Sequence, residues 1–172
     1  MTPNKVPNAM PAHLLGLYRH FVDLRDGKHG DNAVTRKDKE SLFAAAVNFL
    51  DAYARQALTE MNETLLLNTG TIKTTGLIRS SSGDLTATWT LSWNEQAERN
   101  IQPVTLQAFF GHGFHHPHLR SATVGNWPLN VFSKADATEE LPTLRAIASA
   151  DLHNLVFQSD YRIIPAIMAP DH

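Results

Sequence analysis

The segment Leu85–Trp93 constrains the fold more than any other part of the sequence. It reads L-T-A-T-W-T-L-S-W, so apolar residues alternate with threonine or serine without a break. Because successive side chains of a β-strand point to opposite faces, this pattern predicts a strand with one face in the core and the other toward water, a ligand or a partner. Gly76–Arg79 precedes it, and Gly83 and Asp84 lie between the two runs, which is typical of a β-hairpin.

Two helices are predicted before the hairpin. The first begins at Pro11 and ends at Gly27, because apolar residues recur between them at helical spacing. The second begins after Thr35, which with Asp38 three residues later resembles a capping box, and it runs to about Met61 with one apolar face.

The remainder of the chain is predicted to consist mainly of strands. In chain order the patterns predict a polar loop at Asn94–Asn100, strands at Ile101–Phe110 and Thr123–Ser133, a short helix at about Glu139–Ser149, and two strand-like runs at Leu152–Phe157 and Tyr161–Ile167. The expected fold class is α+β, with two N-terminal helices packed on a mainly antiparallel sheet and one further short helix before the C-terminal strand or strands. A single domain is expected over residues 1–172, with an irregular leader at 1–11.

The composition is that of a soluble globular domain. Apolar residues make up 42% and charged residues 19% of the sequence, and the formal net charge is −2. No predicted face carries a long basic stripe, which disfavours a nucleic-acid binder, and no apolar run approaches the about 20 residues that span a bilayer. The absence of cysteine excludes disulfides, thiolate metal sites and cysteine nucleophiles. We therefore expect a cytoplasmic protein that binds neither nucleic acid nor membranes.

The candidate functional segment is Gly111–Leu119, which reads G-H-G-F-H-H-P-H-L and follows a predicted strand. Imidazole is a common protein ligand for zinc, nickel, iron and copper, and three ligands with one open position would form a catalytic metal site. The pattern matches no helical H-E-x-x-H motif, so the histidines themselves are the whole signal. The candidate metal ligands are His112, His115, His116, His118 and His153.

Two other interpretations of this loop stay open. In one, a histidine performs metal-free acid–base chemistry, oriented by Asp151 or Asp160. In the other, the histidines belong to an ordinary surface loop or a contact between two copies of the chain. The candidate ligand-binding residues are Arg120, which can bind a carboxylate or phosphate, and Phe114 and Trp127, which can line an apolar pocket.

The run H-P-H-L, followed by G-N-W-P-L-N-V, resembles the core signature of ubiquitin-conjugating enzymes. That family has a His-Pro-Asn-type turn, then a glycine, then the catalytic cysteine followed by leucine. Gly125, Pro128 and Leu129 match the glycine, the cysteine position and the leucine. Because Pro128 occupies the cysteine position, the resemblance implies a catalytically inactive scaffold that binds ubiquitin.

The function expected from the sequence is binding of a small ligand or divalent metal at residues 111–120, with metal-assisted or histidine acid–base chemistry as an extension. The alternative is a non-enzymatic interaction protein, either a homodimer or a scaffold similar to ubiquitin-conjugating enzymes. The residues leave open whether the chain is an enzyme, and they name no substrate.

Overall fold

The computed structural model describes residues 10–30 and 33–170, so most of the predicted leader lies outside the described residues. The helices are α1 (Ala12–Asp26), α2 (Arg36–Thr64), α3 (Asn94–Glu98), α4 (Lys134–Gln158), a 3-10 helix (Tyr161–Ile163) and α5 (Pro165–Met168). The strands are β1 (Thr71–Arg79), β2 (Leu85–Ser92), β3 (Val104–Phe110), β4 (His118–Arg120) and β5 (Trp127–Pro128). The α+β class is confirmed.

The five strands form one antiparallel sheet in which the spatial order is the chain order. The alternation in β2 decides which side of the sheet is the core. Trp89 pairs with Leu106 and both are buried, whereas Thr88 and Gln107 on the opposite face remain half-exposed. The hairpin predicted from the alternation is therefore confirmed.

Helices α2 and α4 pack on each other and on the inner face of the sheet. Phe43 of α2 meets Phe110 of β3 edge to face at 5.8 Å between ring centroids. The indole Nε1 of Trp89 donates a hydrogen bond to Asp51 Oδ1 at 2.9 Å, so the largest buried side chain of the sheet has its polar atom satisfied by α2. The second N-terminal helix predicted from the sequence thus covers the sheet.

Helix α1 lies elsewhere, at the β5 end of the sheet. Asn130, just after β5, donates from Nδ2 to the Gly16 carbonyl at 2.8 Å, and Arg19 approaches Asp136 of α4 at 3.9 Å. The predicted start and stop of this helix are correct within one residue, since α1 spans Ala12–Asp26 and Gly27 directly after it has a left-handed φ of 67°. It joins the side of the molecule rather than the inner face of the sheet.

The C-terminal strands predicted from the sequence are wrong. Helix α4 is not short, because it spans 25 residues and includes Leu152–Phe157, and the second run forms the 3-10 helix and α5. The side chains that α4 buries against the core continue at helical spacing through the run that looked like a strand: Leu144, Ile147, Ala148, Leu152 and Leu155. From α4 to residue 170 the described chain contains no strand.

Two smaller predictions are also corrected. The predicted polar loop at Asn94–Asn100 begins with the one-turn helix α3, because Gln96 accepts from the Trp93 backbone N–H at 3.1 Å. The predicted strand at Thr123–Ser133 contains only β5, since Pro128 cannot donate to a ladder. Ser133 instead caps α4 by accepting from the Asp136 N–H at 3.1 Å.

At the other end of the sheet, β1 pairs only with β2 among the described strands, and its register shifts between Thr74 and Leu77. Gly76 lies in this irregularity with a φ of 66°. In the described part of the chain, no helix combines the length and the apolar character needed to cross a bilayer.

Candidate functional site

The histidine loop, Gly111–Pro117, connects β3 to β4 and is held from α2 by Arg36. The guanidinium donates from Nη1 to the carbonyls of Gly111 and Phe114, each at 3.1 Å. It also lies 3.7 Å from the centroid of the Phe110 ring. The first turn of the long helix therefore fixes the backbone of the loop at two points.

Within this loop, the Nδ1 atom of His116 lies 3.4 Å from the Nδ1 atom of His29. Both side chains are buried, at 5% and 2% exposed. His29 reaches this position from the turn after α1, where its backbone pairs with Ala33. Gly30 makes that turn possible, because its φ is 59° and a Cβ there would lie 2.6 Å from the Phe132 ring.

Two more histidines, His20 and His118, lie beside this pair. We call the four residues together the histidine cluster: His20, His29, His116 and His118. His20 on α1 has its ring centroid 4.3 Å from that of His116 and 6.1 Å from that of His118. His20 Nδ1 is shielded from solvent and has no hydrogen-bond partner within residues 10–30 and 33–170. The cluster thus joins α1, the turn after it, the histidine loop and β4.

All four imidazoles of the cluster favour the neutral form. Burial lowers the pKa of His29 to about 4, with the Lys39 ammonium and His20 adding repulsion. Burial lowers the pKa of His116 to about 3, helped by His20, His29 and Lys39. Burial also lowers the pKa of His20, against the attraction of Asp23, and that of His118, against a hydrogen bond to the His116 backbone. Neutral imidazole is the form that binds metals and other Lewis acids.

The other predicted metal ligands lie apart from the cluster. His112 and His115 are exposed, and His112 is fixed through its backbone N–H, which donates to Asp84 Oδ1 at 2.6 Å. His153 is exposed on α4, where its ring stacks on Phe157 at 4.4 Å. The structure therefore brings together two of the five predicted histidines, His116 and His118.

Of the predicted ligand-binding residues, two lie near each other and the third lies apart. Arg120 of β4 lies on the outer face of the sheet, where it donates to Gln107 at 2.6 Å and stacks on Phe109 at 4.0 Å. Phe114 is exposed at the tip of the histidine loop, and Trp127 of β5 lines a cleft beside α1. Phe114 and Arg120 both contact the Phe109 ring, since the Phe114 and Phe109 ring centroids are 6.0 Å apart, whereas the cleft that Trp127 lines includes neither of them.

The predicted orienting carboxylates have structural roles. Asp151 is fully buried and accepts from the backbone of Thr105 and Thr123 and from the hydroxyls of Ser121 and Thr123, at 2.5–3.0 Å. It therefore ties α4 to β3 and to the turn after β4. Asp160 caps the 3-10 helix and pairs with Arg162 at 2.8 Å.

Sequence reasoning missed His20, His29 and Arg36. Each is far from the loop along the chain and reaches it only through the packing of α1 and α2. For His20 and His29 the sequence did carry a signal, the number of histidines before residue 30. The denser group of histidines at 112–118 drew attention away from it.

The cluster fits a metal only in part. Two imidazole nitrogens bound to one tetrahedral zinc ion, at about 2.0–2.1 Å each, lie about 3.3–3.4 Å apart, which matches the His29–His116 pair. Across the described chain, however, no three side chains of the His, Asp and Glu types already point their donors at one position. A third ligand requires a side-chain rotation.

Of the residues that carry the resemblance to ubiquitin-conjugating enzymes, Pro128 pairs with His118 in the sheet, Gly125 is exposed and Leu129 is buried. No protein-family model matches the sequence, and neither the curated proteins nor the solved structures contain a significant match.

Proposed function

We propose that the protein binds a divalent transition metal ion, with zinc as the reference ion, at the histidine cluster. The observation that carries the proposal is the 3.4 Å separation of the Nδ1 atoms of His29 and His116. Without an ion the two nitrogens form a long imidazole–imidazole hydrogen bond, beyond the usual about 2.7–3.2 Å, and the same separation suits two ligands of one tetrahedral ion.

The third ligand is assigned to His20. Its Nδ1 is buried and accepts no hydrogen bond from the described residues, and a buried polar atom without a partner is costly. Its ring already contacts that of His116, so rotation about the side-chain torsions is the movement required. His118 supplies a fourth nitrogen or leaves one position open for water.

The surroundings favour neutral ligands but oppose the charge of the ion. The lowered pKa values mean that metal binding displaces few protons from His29 and His116 near neutral pH. Lys39, which is buried and repels charge on both histidines, reduces the affinity for a dication. Asp23 attracts charge at His20 and partly offsets this repulsion.

Zinc titration of untagged protein by calorimetry tests the proposal. One ion per chain is expected in the unmodified protein. Loss of a second-sphere partner weakens metal binding about 10–100-fold, so His29→Gln and His116→Gln, which remove direct ligands, should weaken it more than about 100-fold. His112→Gln and His153→Gln are matched controls on exposed histidines and should leave the affinity unchanged.

Lys39→Met should change the zinc affinity in the opposite direction. It removes the cation beside the cluster and should tighten zinc binding severalfold. Zinc binding that survives His29→Gln and His116→Gln but is lost in His112→Gln would place the ion on the exposed part of the loop and contradict the proposal.

The second candidate function is that of an interaction protein. Phe21 and Leu24 lie three residues apart on α1 and are 59% and 55% exposed, which is a feature of surfaces that bind partners. Sedimentation equilibrium of the unmodified protein and of Phe21→Ser tests the homodimer, and an NMR titration with ubiquitin tests the inactive-scaffold version.

A further inference from the structure

The cleft beside α1 that Trp127 lines lies between that helix, β5 and the N-terminal half of α4. It has a volume of about 210 Å³, and its walls include Gly16, Arg19, Trp127, Asn130 and Glu140. None of these residues belongs to the histidine cluster. Because the drug-sized sites of proteins have volumes of about 300–1,000 Å³, a ligand of this cleft is small.

Two hydrogen-bond acceptors in the wall of this cleft are unused. Asn130 Oδ1 and Glu140 Oε1 are each shielded from solvent, and neither accepts a hydrogen bond in the described part of the chain. The orientation of the Asn130 amide is fixed, because Nδ2 donates to the Gly16 carbonyl at 2.8 Å and a flip would lose that bond. The group left without a partner is therefore the amide oxygen, which can only accept.

The charged groups around the cleft select the kind of ligand that can satisfy these acceptors. Asp136, Glu139 and Glu140 contribute carboxyl groups from α4, and Arg19 and His13 contribute from α1. Arg19 is directed toward Asp136 at 3.9 Å. Trp127 is 41% exposed at the mouth, where its indole can contact a cation through the ring face.

We propose that this cleft binds a small organic cation, an alkylammonium or alkylguanidinium ion, whose N–H groups donate to Asn130 Oδ1 and Glu140 Oε1. The ligand supplies donors where the described chain offers none, and its alkyl part lies against Trp127. This proposal is independent of metal binding at the histidine cluster.

The raised pKa of Glu140 is consistent with a cation bound beside its carboxyl group. Burial raises its pKa to about 7, with the nearby Asp136 acting in the same direction and a hydrogen bond with Thr143 opposing it. A bound cation stabilises the ionised carboxylate, so cation binding should release a proton near neutral pH and strengthen as the pH rises from 6 to 8.

Calorimetric titration with n-butylammonium and ethylguanidinium chlorides, with n-pentanol as the neutral comparison, tests the proposal. Saturable binding of a cation without binding of the alcohol is expected. Glu140→Gln should weaken it at least tenfold and remove its pH dependence, whereas Glu63→Gln, at an exposed position of α2 outside the cleft, should change the affinity less than twofold.

Glu140→Gln keeps the shape of the side chain and a group that can pair with Thr143, so it is expected to fold; a Tm within a few degrees of that of the unmodified protein checks this. Asn130→Leu provides the second variant and should also abolish binding. Equal binding of the alcohol, unchanged binding in Glu140→Gln, or saturation by magnesium ions alone in place of the organic cations would overturn the proposal.

Discussion

The two sides of this molecule differ in whether their buried polar groups have hydrogen-bond partners. Between the sheet, α2 and α4, the buried polar groups are paired: Asp51 accepts from Trp89, Asp151 has four donors, and Trp93 donates to the Ile163 carbonyl. Five buried polar atoms have no partner among the described residues, and four of them lie where α1 and the histidine loop attach: Nδ1 of His20, Nη2 of Arg36, Oδ1 of Asn130 and Oε1 of Glu140. The fifth is Oε2 of Glu95 in α3. The paired groups thus lie on one side of the molecule, and both proposed binding sites lie on the other.

Asp151→Ala tests the paired side most severely. The substitution leaves the N–H groups of Thr105 and Thr123 and two hydroxyls without their acceptor. Each buried group left unpaired costs about 1–3 kcal/mol, so we expect the free energy of unfolding to fall by about 3–5 kcal/mol in urea titrations. Asp26→Ala, which removes an exposed carboxylate paired with Arg25, is the control and should change it by less than about 0.5 kcal/mol.

The side that carries the histidine cluster is tested by measuring the free energy of unfolding as the pH is lowered, with a chelator present. The folded-state pKa values of His29 and His116 lie below the usual 6.5, at about 4 and about 3, so the unfolded chain binds more protons below pH 6.5. Stability from these histidines is complete above pH 6.5 and is lost as the pH falls toward 4. The contribution of Glu140 to stability changes with pH in the opposite direction. Because its pKa is raised in the folded protein, its contribution falls as the pH rises from about 4.5 to about 7.

The two effects partly cancel in the unmodified protein, so the histidine effect is best measured in Glu140→Gln. There we expect the free energy of unfolding to fall by about 2–3 kcal/mol between pH 7 and 5.5, because His29 and His116 each contribute roughly 1 kcal/mol over this interval. Adding His29→Gln should reduce the slope, because it removes one of the groups that take up a proton on unfolding. An unchanged slope would show that His29 is solvated in the native protein.

Arg36→Ala probes the connection between the two sides. It removes both hydrogen bonds to the loop carbonyls, and a loss of about 1–2 kcal/mol is expected. Backbone amide exchange should accelerate at Phe114, whose N–H donates to the Gly111 carbonyl at 3.1 Å, and stay unchanged at Leu106 in the sheet. Arg36 also pairs with Glu40 at 3.1 Å, and Arg79 donates to the same carboxylate at 2.7 Å. Arg79→Ala, which removes a guanidinium from Glu40 without touching the loop, is therefore the matched control and should leave the loop amides protected.

The sequence predicted best what short-range patterns control. The alternation of Leu85–Trp93 and the capping of α2 by Thr35 are local, and both are confirmed. The predicted end of α4 was wrong. The apolar run at 152–157 is compatible with a strand when it is considered alone, and its helical spacing is evident only together with Leu144 and Ile147. Half of the histidine cluster was predicted; the other half depends on the docking of α1, for which a single sequence carries no local signal.

The register shift in β1 has a consequence for how copies of this chain meet. A strand at the end of a sheet offers unpaired amides and carbonyls to any extended segment that approaches, which leads toward aggregation. Here the shift at Gly76 divides the available backbone into 71–74 and 77–79, and Lys73 and Arg79 place positive charge on both pieces. A second copy finds no long straight strand to extend, so β1 is protected against fibre-like growth while it stays exposed to water.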